Sequence, residues 1–172
     1  MGADLLVITA SNGENLRLAE RFAVHGRGRG LATELLDLTE LPLPLYNPRF
    51  HASEGIPAAV GDLHRRLAAA PRWLICAPEY NGSIPPVLTS AIAWLSVQGD
   101  DFRTLFNGRP VAIASHSGGG GIEALAALRI QLAHLGAHVV GRQLVATGAR
   151  PAQEASLEDL VARLSQLQPI SI

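Results

Sequence analysis

The sequence predicts an α/β fold in which a parallel sheet of five strands is covered by helices on both faces. Short apolar runs alternate along the chain with segments whose apolar residues recur at helical spacing. Continuous apolar runs are typical of parallel strands, which are buried on both faces, and the strand–helix alternation brings successive strands into one sheet. The length of 172 residues and the 48% hydrophobic content suit one complete core. We therefore expect a single domain over residues 1–172.

The strands are predicted from apolar runs bounded by turn residues. The first of them has the sequence DLLVIT. The predicted strands cover residues 4–9, 31–38, 72–77, 109–115 and 137–146. Because parallel strands end at a common edge, the loops after the first, third and fourth strands are expected to meet at the ligand-binding edge of the sheet.

A helix is predicted after each strand. The predicted helices cover residues 14–25, 57–70, 86–97, 121–136 and 156–167. Pro86 suits a first helical turn, Gly136 is expected to end the fourth helix, and Ser156 is expected to cap the fifth. A proline-rich connector, LPLPLYNPRF, precedes the second helix.

Charge and composition exclude several functions. The formal net charge is −1, which provides no field for gathering nucleic acid. All fourteen basic residues are arginine, so Schiff-base chemistry and a phosphate-binding lysine are excluded. No apolar stretch reaches the roughly 20 residues of a membrane span, and no basic region precedes the first apolar run, so we expect no signal peptide. We expect no membrane or nucleic-acid partner.

Cysteine and histidine give little sign of chemistry of their own. The one cysteine, Cys76, permits no intramolecular disulfide and fits a reducing cytoplasm. It lies within an apolar strand, which indicates a buried, inert thiol. Five histidines, His25, His51, His64, His134 and His138, show no metal-ligand spacing, so no metal is expected.

The loop after the first strand carries small polar residues and leads into a helix N-terminus. Such a loop can receive a single phosphate through backbone N–H groups and the helix dipole. A helix that is merely capped behind an ordinary turn fits the same residues equally well. Glu14 would repel a phosphate if it pointed inward, so we expect its side chain to point to solvent.

The loops after the third and fourth strands are the more informative ones. The first of them reads PEYNGSIPP, where Asn81 and Gly82 tolerate the positive φ values of a tight turn and the prolines stiffen the loop. The second reads SHSGGGG, and its glycines allow the backbone to approach a flat ligand closely. His116 could donate a proton, but a histidine beside a glycine-rich loop more often has no catalytic role.

These motifs resemble a known family. The segment PEYNGSIPPVLTSAIAWLS resembles the signature of the NADPH-dependent FMN reductases, which include flavin, quinone, azo-dye and chromate reductases. The resemblance implies a flavodoxin-like three-layer sandwich, FMN as cofactor, and NADPH or NADH as co-substrate. It implies no catalytic side chain, because FMN carries the chemistry.

The resemblance also implies which residues bind FMN. The first loop would hold the phosphate, the PEYN loop would lie along the ring and ribityl chain, and the glycine-rich loop would border the other side of the ring. The residues are Ser11, Asn12, Gly13, Glu14, Asn15, Leu16, Pro78, Glu79, Tyr80, Asn81, Gly82, Ser115, His116, Ser117, Gly118 and Gly119. The first loop is shorter than is usual in the family and contains no arginine. Thr89, Ala93 and Ser117 also replace the family's common Lys, Asp and Gly.

Three functions follow as hypotheses. The first is a reductase that passes hydride from NAD(P)H through FMN to a quinone, an azo compound, free flavin or a similar small acceptor. The second is an electron carrier of flavodoxin type, although such carriers tend to be strongly acidic. The third is a binding module of the same fold without flavin.

Association into a homodimer or homotetramer is also implied by the resemblance. Trp94, Leu95 and the segment FRTLF (102–106) could form the contact surface. The same residues could instead fill the core, and the sequence leaves both possibilities open.

Overall fold

A computed structural model of the chain describes residues 2–170, and its elements alternate as the sequence predicts. The strands are β1 (Leu5–Thr9), β2 (Thr33–Asp37), β3 (Trp73–Cys76), β4 (Pro110–His116), β5 (His138–Val139) and β6 (Leu144–Ala146). The helices are α1 (Glu14–Gly28), α2 (Pro48–Glu54), α3 (Ala58–Ala69), α4 (Pro86–Leu95), α5 (Ile122–His134) and α6 (Glu154–Ser165). Short 3-10 turns cover Leu38–Glu40 and Phe102–Leu105.

The sheet is parallel, with the order β2-β1-β3-β4-β5, and β6 also pairs with β4. Val7 lies in the centre of the sheet, paired with Leu35 on one side and Leu74 on the other. The chain runs outward from β1 to β2 and then returns to continue on the other side of β1. The strand order therefore reverses at the boundary between β1 and β3, where α/β folds bind their ligands.

Two apolar layers hold the helices against the sheet. On one face α1 and α6 pack against alternate strand residues such as Leu5, Val7 and Leu74. On the other face α3, α4 and α5 pack against the intervening residues, among them Leu6 and Ile8. This three-layer α/β/α arrangement confirms the predicted fold class, because every central strand contributes apolar side chains to both layers.

The predicted fifth strand, 137–146, is interrupted. His138 pairs with Pro110, whereas Leu144 pairs with Ala114, so two additional residues are accommodated between β5 and β6. Arg129 on α5 binds this interruption by donating to the carbonyl oxygen of Val140 at 2.9 Å and to the side chain of Gln143 at 3.1 Å. The predicted range therefore contains strand residues at both of its ends, in β5 and β6, and its predicted continuity is wrong.

Two helix predictions also need correction. The proline-rich connector contains α2, whose first turn is capped by the side chain of Asn47 and starts at Pro48. Helix α6 begins at Glu154, so Ser156 lies inside it and the predicted cap is wrong. The Glu154 carboxylate lies 2.7 Å from His25 and also binds Arg21, both on α1, and these contacts hold the earlier start of the helix.

The residues considered for a subunit contact are mostly core residues. Trp94 and Leu95 are buried, as are Leu105 and Phe106, while Phe102 is partly exposed and packs against the same core. Of the two possibilities that the sequence leaves open, the structure supports core filling.

Within residues 2–170, no helix has both the length and the hydropathy needed to cross a membrane.

Candidate functional site

The three loops singled out in the sequence lie side by side at the carboxyl edge of the sheet. β3 is hydrogen-bonded to β1 on one side and to β4 on the other. The backbone continues this contact past the strand ends, since Ala10 N–H donates to the Cys76 carbonyl and Ala77 N–H donates to the Ala114 carbonyl, both at 3.0 Å. The loops after β1, β3 and β4 therefore form one contiguous site.

The first loop presents the N-terminus of α1. Gly13 occupies the capping position and no side chain caps the helix. The first backbone bond runs from the Arg17 N–H to the Gly13 carbonyl at 3.2 Å, so the N–H groups of Glu14, Asn15 and Leu16 have no partner within the helix. Exposed N–H groups at a helix N-terminus attract anions such as phosphate.

Glu14 does not obstruct this anion site. Its side chain is exposed and pairs with Arg17 on the outer surface of α1, as the expectation that it points to solvent requires. Ser11 is half-buried and its N–H faces the Thr9 hydroxyl at 3.4 Å. The first turn of α1 therefore carries open backbone donors without a carboxylate directed at them, which fits a phosphate group.

The PEYN loop is a tight two-residue turn. Tyr80 and Ser83 exchange both backbone hydrogen bonds, at 3.1 and 3.0 Å, around Asn81 and Gly82. The central residues have φ values of 53° and 70°, which defines a turn of type I′. Asn81 is the one non-glycine residue among those described with positive φ. The predicted positive φ values are confirmed, and Tyr80 is left 49% exposed at the tip.

The glycine-rich loop is folded tightly against the end of β4. Ser115 is fully buried, and its hydroxyl lies 3.2 Å from that of Ser117. Gly120 and Gly121 have φ values of 105° and 77°, a region that favours glycine. Gly118 and Gly119 remain exposed, so their backbone is available to a ligand.

Two predicted site residues bind neighbouring loops. The Asn15 side chain is 2% exposed; it donates to the His116 carbonyl at 2.8 Å and accepts from the His116 N–H at 2.9 Å. Glu79 donates its backbone N–H to the Ser117 hydroxyl at 2.7 Å, and its carboxylate accepts from the Ala124 N–H at 3.1 Å. Sequence reasoning did not find these contacts, since Asn15 and His116 are separated by 101 positions.

The predicted residues differ in exposure. Half-buried are Ser11, Leu16, Glu79 and His116; buried are Asn15, Pro78, Ser115 and Ser117; exposed are Asn12, Gly13, Glu14, Tyr80, Asn81, Gly82, Gly118 and Gly119.

Cys76 lies beneath this edge and burial raises the pKa of its thiol well above the ordinary value, as expected of an inert thiol. Among residues 2–170, no cluster of His, Cys, Asp and Glu could hold a metal ion.

A groove lies along α4, the helix that follows the PEYN loop, and was not predicted from the sequence. It has a volume of about 240 Å³ and is lined by Leu45, Tyr46, Pro86, Thr89, Ser90 and Ala93. The groove forms because the connector before α2 folds over α4, where the Tyr46 N–H donates to the Ser90 hydroxyl at 2.7 Å. The apolar residues of the connector were its only signal in the sequence.

The fold and the site together define a flavin-binding oxidoreductase of the flavodoxin-like class. The strand order is that of flavodoxin-like sheets, whose FMN binds at the boundary of β1 and β3. At that boundary the structure provides the uncapped N-terminus of α1 and, beside it, the PEYN turn and the glycine-rich loop, both of which carry exposed residues.

Comparison with known proteins identifies the family. The profile of the NADPH-dependent FMN reductase family matches residues 3–151. An NAD(P)H-dependent FMN reductase of Pseudomonas aeruginosa is 35% identical over 145 residues, which span 81% of this chain and 75% of that protein. A quinone reductase of Escherichia coli K12 is 35% identical over 118 residues, or 65% of this chain and 61% of the relative. The chain belongs to the NADPH-dependent FMN reductase family.

Solved structures support the fold. The flavoenzyme NAD(P)H:(acceptor) oxidoreductase of Paracoccus denitrificans superposes with a TM-score of 0.76 over 95% of both chains, at 23% identity. At this identity the likeness concerns the fold alone, and it agrees with the flavodoxin-like assignment.

Proposed function

We propose that the chain, as one domain over residues 1–172, is an FMN-dependent NAD(P)H oxidoreductase. Its acceptor is a quinone, an azo compound, free flavin or a similar small molecule. The single observation that carries the proposal is the juxtaposition of the uncapped N-terminus of α1 with the PEYN turn and the glycine-rich loop. The family match and the quinone reductase relative support the same reaction class.

Each loop has a separate part in holding FMN. The N–H groups of Glu14 to Leu16, together with Ser11, Asn12 and Gly13, would bind the phosphate through the α1 N-terminus. The PEYN turn, from Pro78 to Gly82, would contact the ribityl chain and ring. The loop from Ser115 to Gly119 would border the ring's other side.

The bound FMN would accept hydride from the nicotinamide and deliver it to the second substrate. The chain's own contribution is binding, orientation and electrostatics. The N–H groups of the exposed residues in these two loops, Asn81, Gly82, Gly118 and Gly119, would serve as preorganised donors for developing negative charge, and such donors need no rearrangement during the reaction. No protein nucleophile is required. Tyr80 is exposed in the PEYN turn, and its ring would stack on an aromatic acceptor.

The anaerobic visible spectrum of FMN-incubated protein tests this function. We expect a flavin spectrum that bleaches when NADPH or NADH is added, because the nicotinamide reduces the flavin directly. A flavin spectrum that persists with both nucleotides would contradict the proposal and indicate an electron carrier of flavodoxin type. A protein that takes up no FMN would indicate a binding module.

We propose further that the protein is a cytoplasmic homo-oligomer. A different surface from the one suggested by the sequence supports association, namely the segment 45–56 over α4. It exposes Leu45 by 71%, Phe50 by 37% and Ile56 by 41%, and α2 within it buries none of its residues. Apolar side chains grouped on one exposed segment are typical of a contact surface.

Light scattering at micromolar concentration tests the assembly. We expect the wild-type protein to have the mass of an oligomer and the Leu45→Glu variant to have the mass of a monomer, because the variant would bury a charge in the contact. The matched control is Ile130→Glu, since Ile130 is also 71% exposed but belongs to α5 and not to the segment 45–56. A monomeric wild-type protein would contradict the proposal.

A further inference from the structure

The glycine-rich loop is connected by side chains to both of the other loops in the site. On one side Asn15, in the first turn of α1, makes two hydrogen bonds to the backbone of His116, at 2.8 and 2.9 Å. The Asn15 amide thus uses its oxygen and one of its two N–H groups on the backbone of His116, and the side chain is only 2% exposed. A side chain so little exposed offers a ligand almost no accessible surface.

On the other side the connection runs through Glu79. Its backbone N–H donates to the Ser117 hydroxyl at 2.7 Å, which in turn lies 3.2 Å from the hydroxyl of Ser115. The Glu79 carboxylate accepts from the N–H of Ala124, in the first turn of α5. That helix starts after Gly121, which offers no side-chain cap, so Glu79 supplies the missing cap from a distant loop.

We infer that Asn15 and Glu79 are positioning residues that join the three loops into one preformed cradle, rather than side-chain ligands of the cofactor. This inference rests on the proposed function. Preformed loops lose less conformational entropy when a ligand binds. The Asn15 amide ends on the glycine-rich loop, and the Glu79 carboxylate ends on the first turn of α5, which directly follows that loop. Losing either contact therefore loosens the part of the site that would border the ring.

Asn15→Ala tests the first connection through the dissociation constants of FMN and riboflavin. A phosphate ligand would matter for FMN alone, whereas a positioning residue matters for both flavins. We expect both constants to rise about tenfold, as for the loss of about 1.4 kcal/mol, with their ratio unchanged. Ser11→Ala is the matched control and should weaken the binding of FMN while leaving that of riboflavin unaffected. Ser11 lies in the proposed phosphate loop, and its contacts to the Thr9 hydroxyl use its backbone N–H and carbonyl and not its hydroxyl.

Amide hydrogen exchange in the flavin-free protein gives a second readout. The His116 N–H donates to Asn15, so its exchange should be at least about tenfold faster in Asn15→Ala than in the wild type. If Asn15→Ala weakened the binding of FMN but not that of riboflavin, the inference would be overturned and Asn15 would be a phosphate ligand. Unchanged affinities for both flavins would also overturn it and leave Asn15 a purely structural role.

Glu79 provides an independent pair of variants should Asn15→Ala fail to fold. Glu79→Gln keeps an oxygen that accepts from Ala124, whereas Glu79→Ala removes it. We expect Glu79→Ala to raise the dissociation constants of both flavins about tenfold and Glu79→Gln to retain most of the wild-type affinity. Equal losses in the two variants would contradict a positioning role. Wild-type protein without FMN binding would instead overturn the proposed function itself, and the inference with it.

Discussion

Gly121→Ala is expected to abolish flavin binding and to lower the free energy of unfolding by about 3 kcal/mol. Gly121 has a φ of 77°, which costs a residue with a Cβ about 1–2 kcal/mol. The new Cβ would also overlap the Ser115 side chain, coming within 2.7 Å of its Cβ and closer still to its hydroxyl. Ser115 is fully buried and cannot move aside, so overpacking adds a similar cost.

Thermal unfolding and FMN titration measure the effect of this substitution. At this chain length, about 3 kcal/mol corresponds to a decrease in Tm of about 10 °C. Gly118→Ala is the matched control, because Gly118 lies in the same loop with nothing within 4 Å of an added Cβ. Its stability should stay within about 0.5 kcal/mol of the wild type. If the two variants had equal stability, the described loop conformation would be wrong.

Trp94→Ala is expected to cost about 3–5 kcal/mol and to release the segment over α4. Trp94 is fully buried and donates its indole N–H to the Pro44 carbonyl at 2.7 Å. Its ring packs edge-on against Tyr46, with 5.0 Å between the ring centroids. The ring centroids of Phe50 and His51 lie 6.1 and 5.8 Å from that of Trp94. Because α2 has no buried residue, these contacts to Trp94 are the principal attachment of α2 to the rest of the protein.

Urea unfolding and limited trypsin digestion measure this second effect. Release of the segment should expose the bond after Arg49, which lies in α2, to rapid cleavage. Trp94→Phe keeps an aromatic ring and loses the hydrogen bond to Pro44, so its smaller cost of about 1–3 kcal/mol separates packing from hydrogen bonding. Wild-type rates of cleavage at Arg49 in Trp94→Ala would show that the segment is held by other contacts.

The fold was predictable because its strands are locally encoded. Runs such as DLLVIT and RWLICA are apolar throughout, as strands buried on both faces must be. One error arose because distant residues decide the local structure, and another because a local signal was overlooked. Helix α6 starts at Glu154 because of Arg21 and His25 on another helix. The short helix α2 was overlooked among prolines, although Asn47 before Pro48 is a typical helix start.

The site was predictable in outline and less so in the roles of its residues. Adjacent strand ends place the three loops together, and Asn81-Gly82 indicates its turn without further context. Polar residue types alone do not distinguish a ligand contact from a contact to another loop. Asn15 and Glu79 have the residue types expected for cofactor binding, yet their partners lie 101 and 45 positions away along the chain.

The interruption between β5 and β6 restricts how this edge of the protein can change in length. The two additional residues keep the alternation of the strand, so that Val140, Leu144 and Ala146 all face the layer formed by α1 and α6. A single inserted or deleted residue would turn the following side chains to the opposite face. Homologous sequences should therefore differ in this segment by even numbers of residues, a parity rule that aligned family members can test.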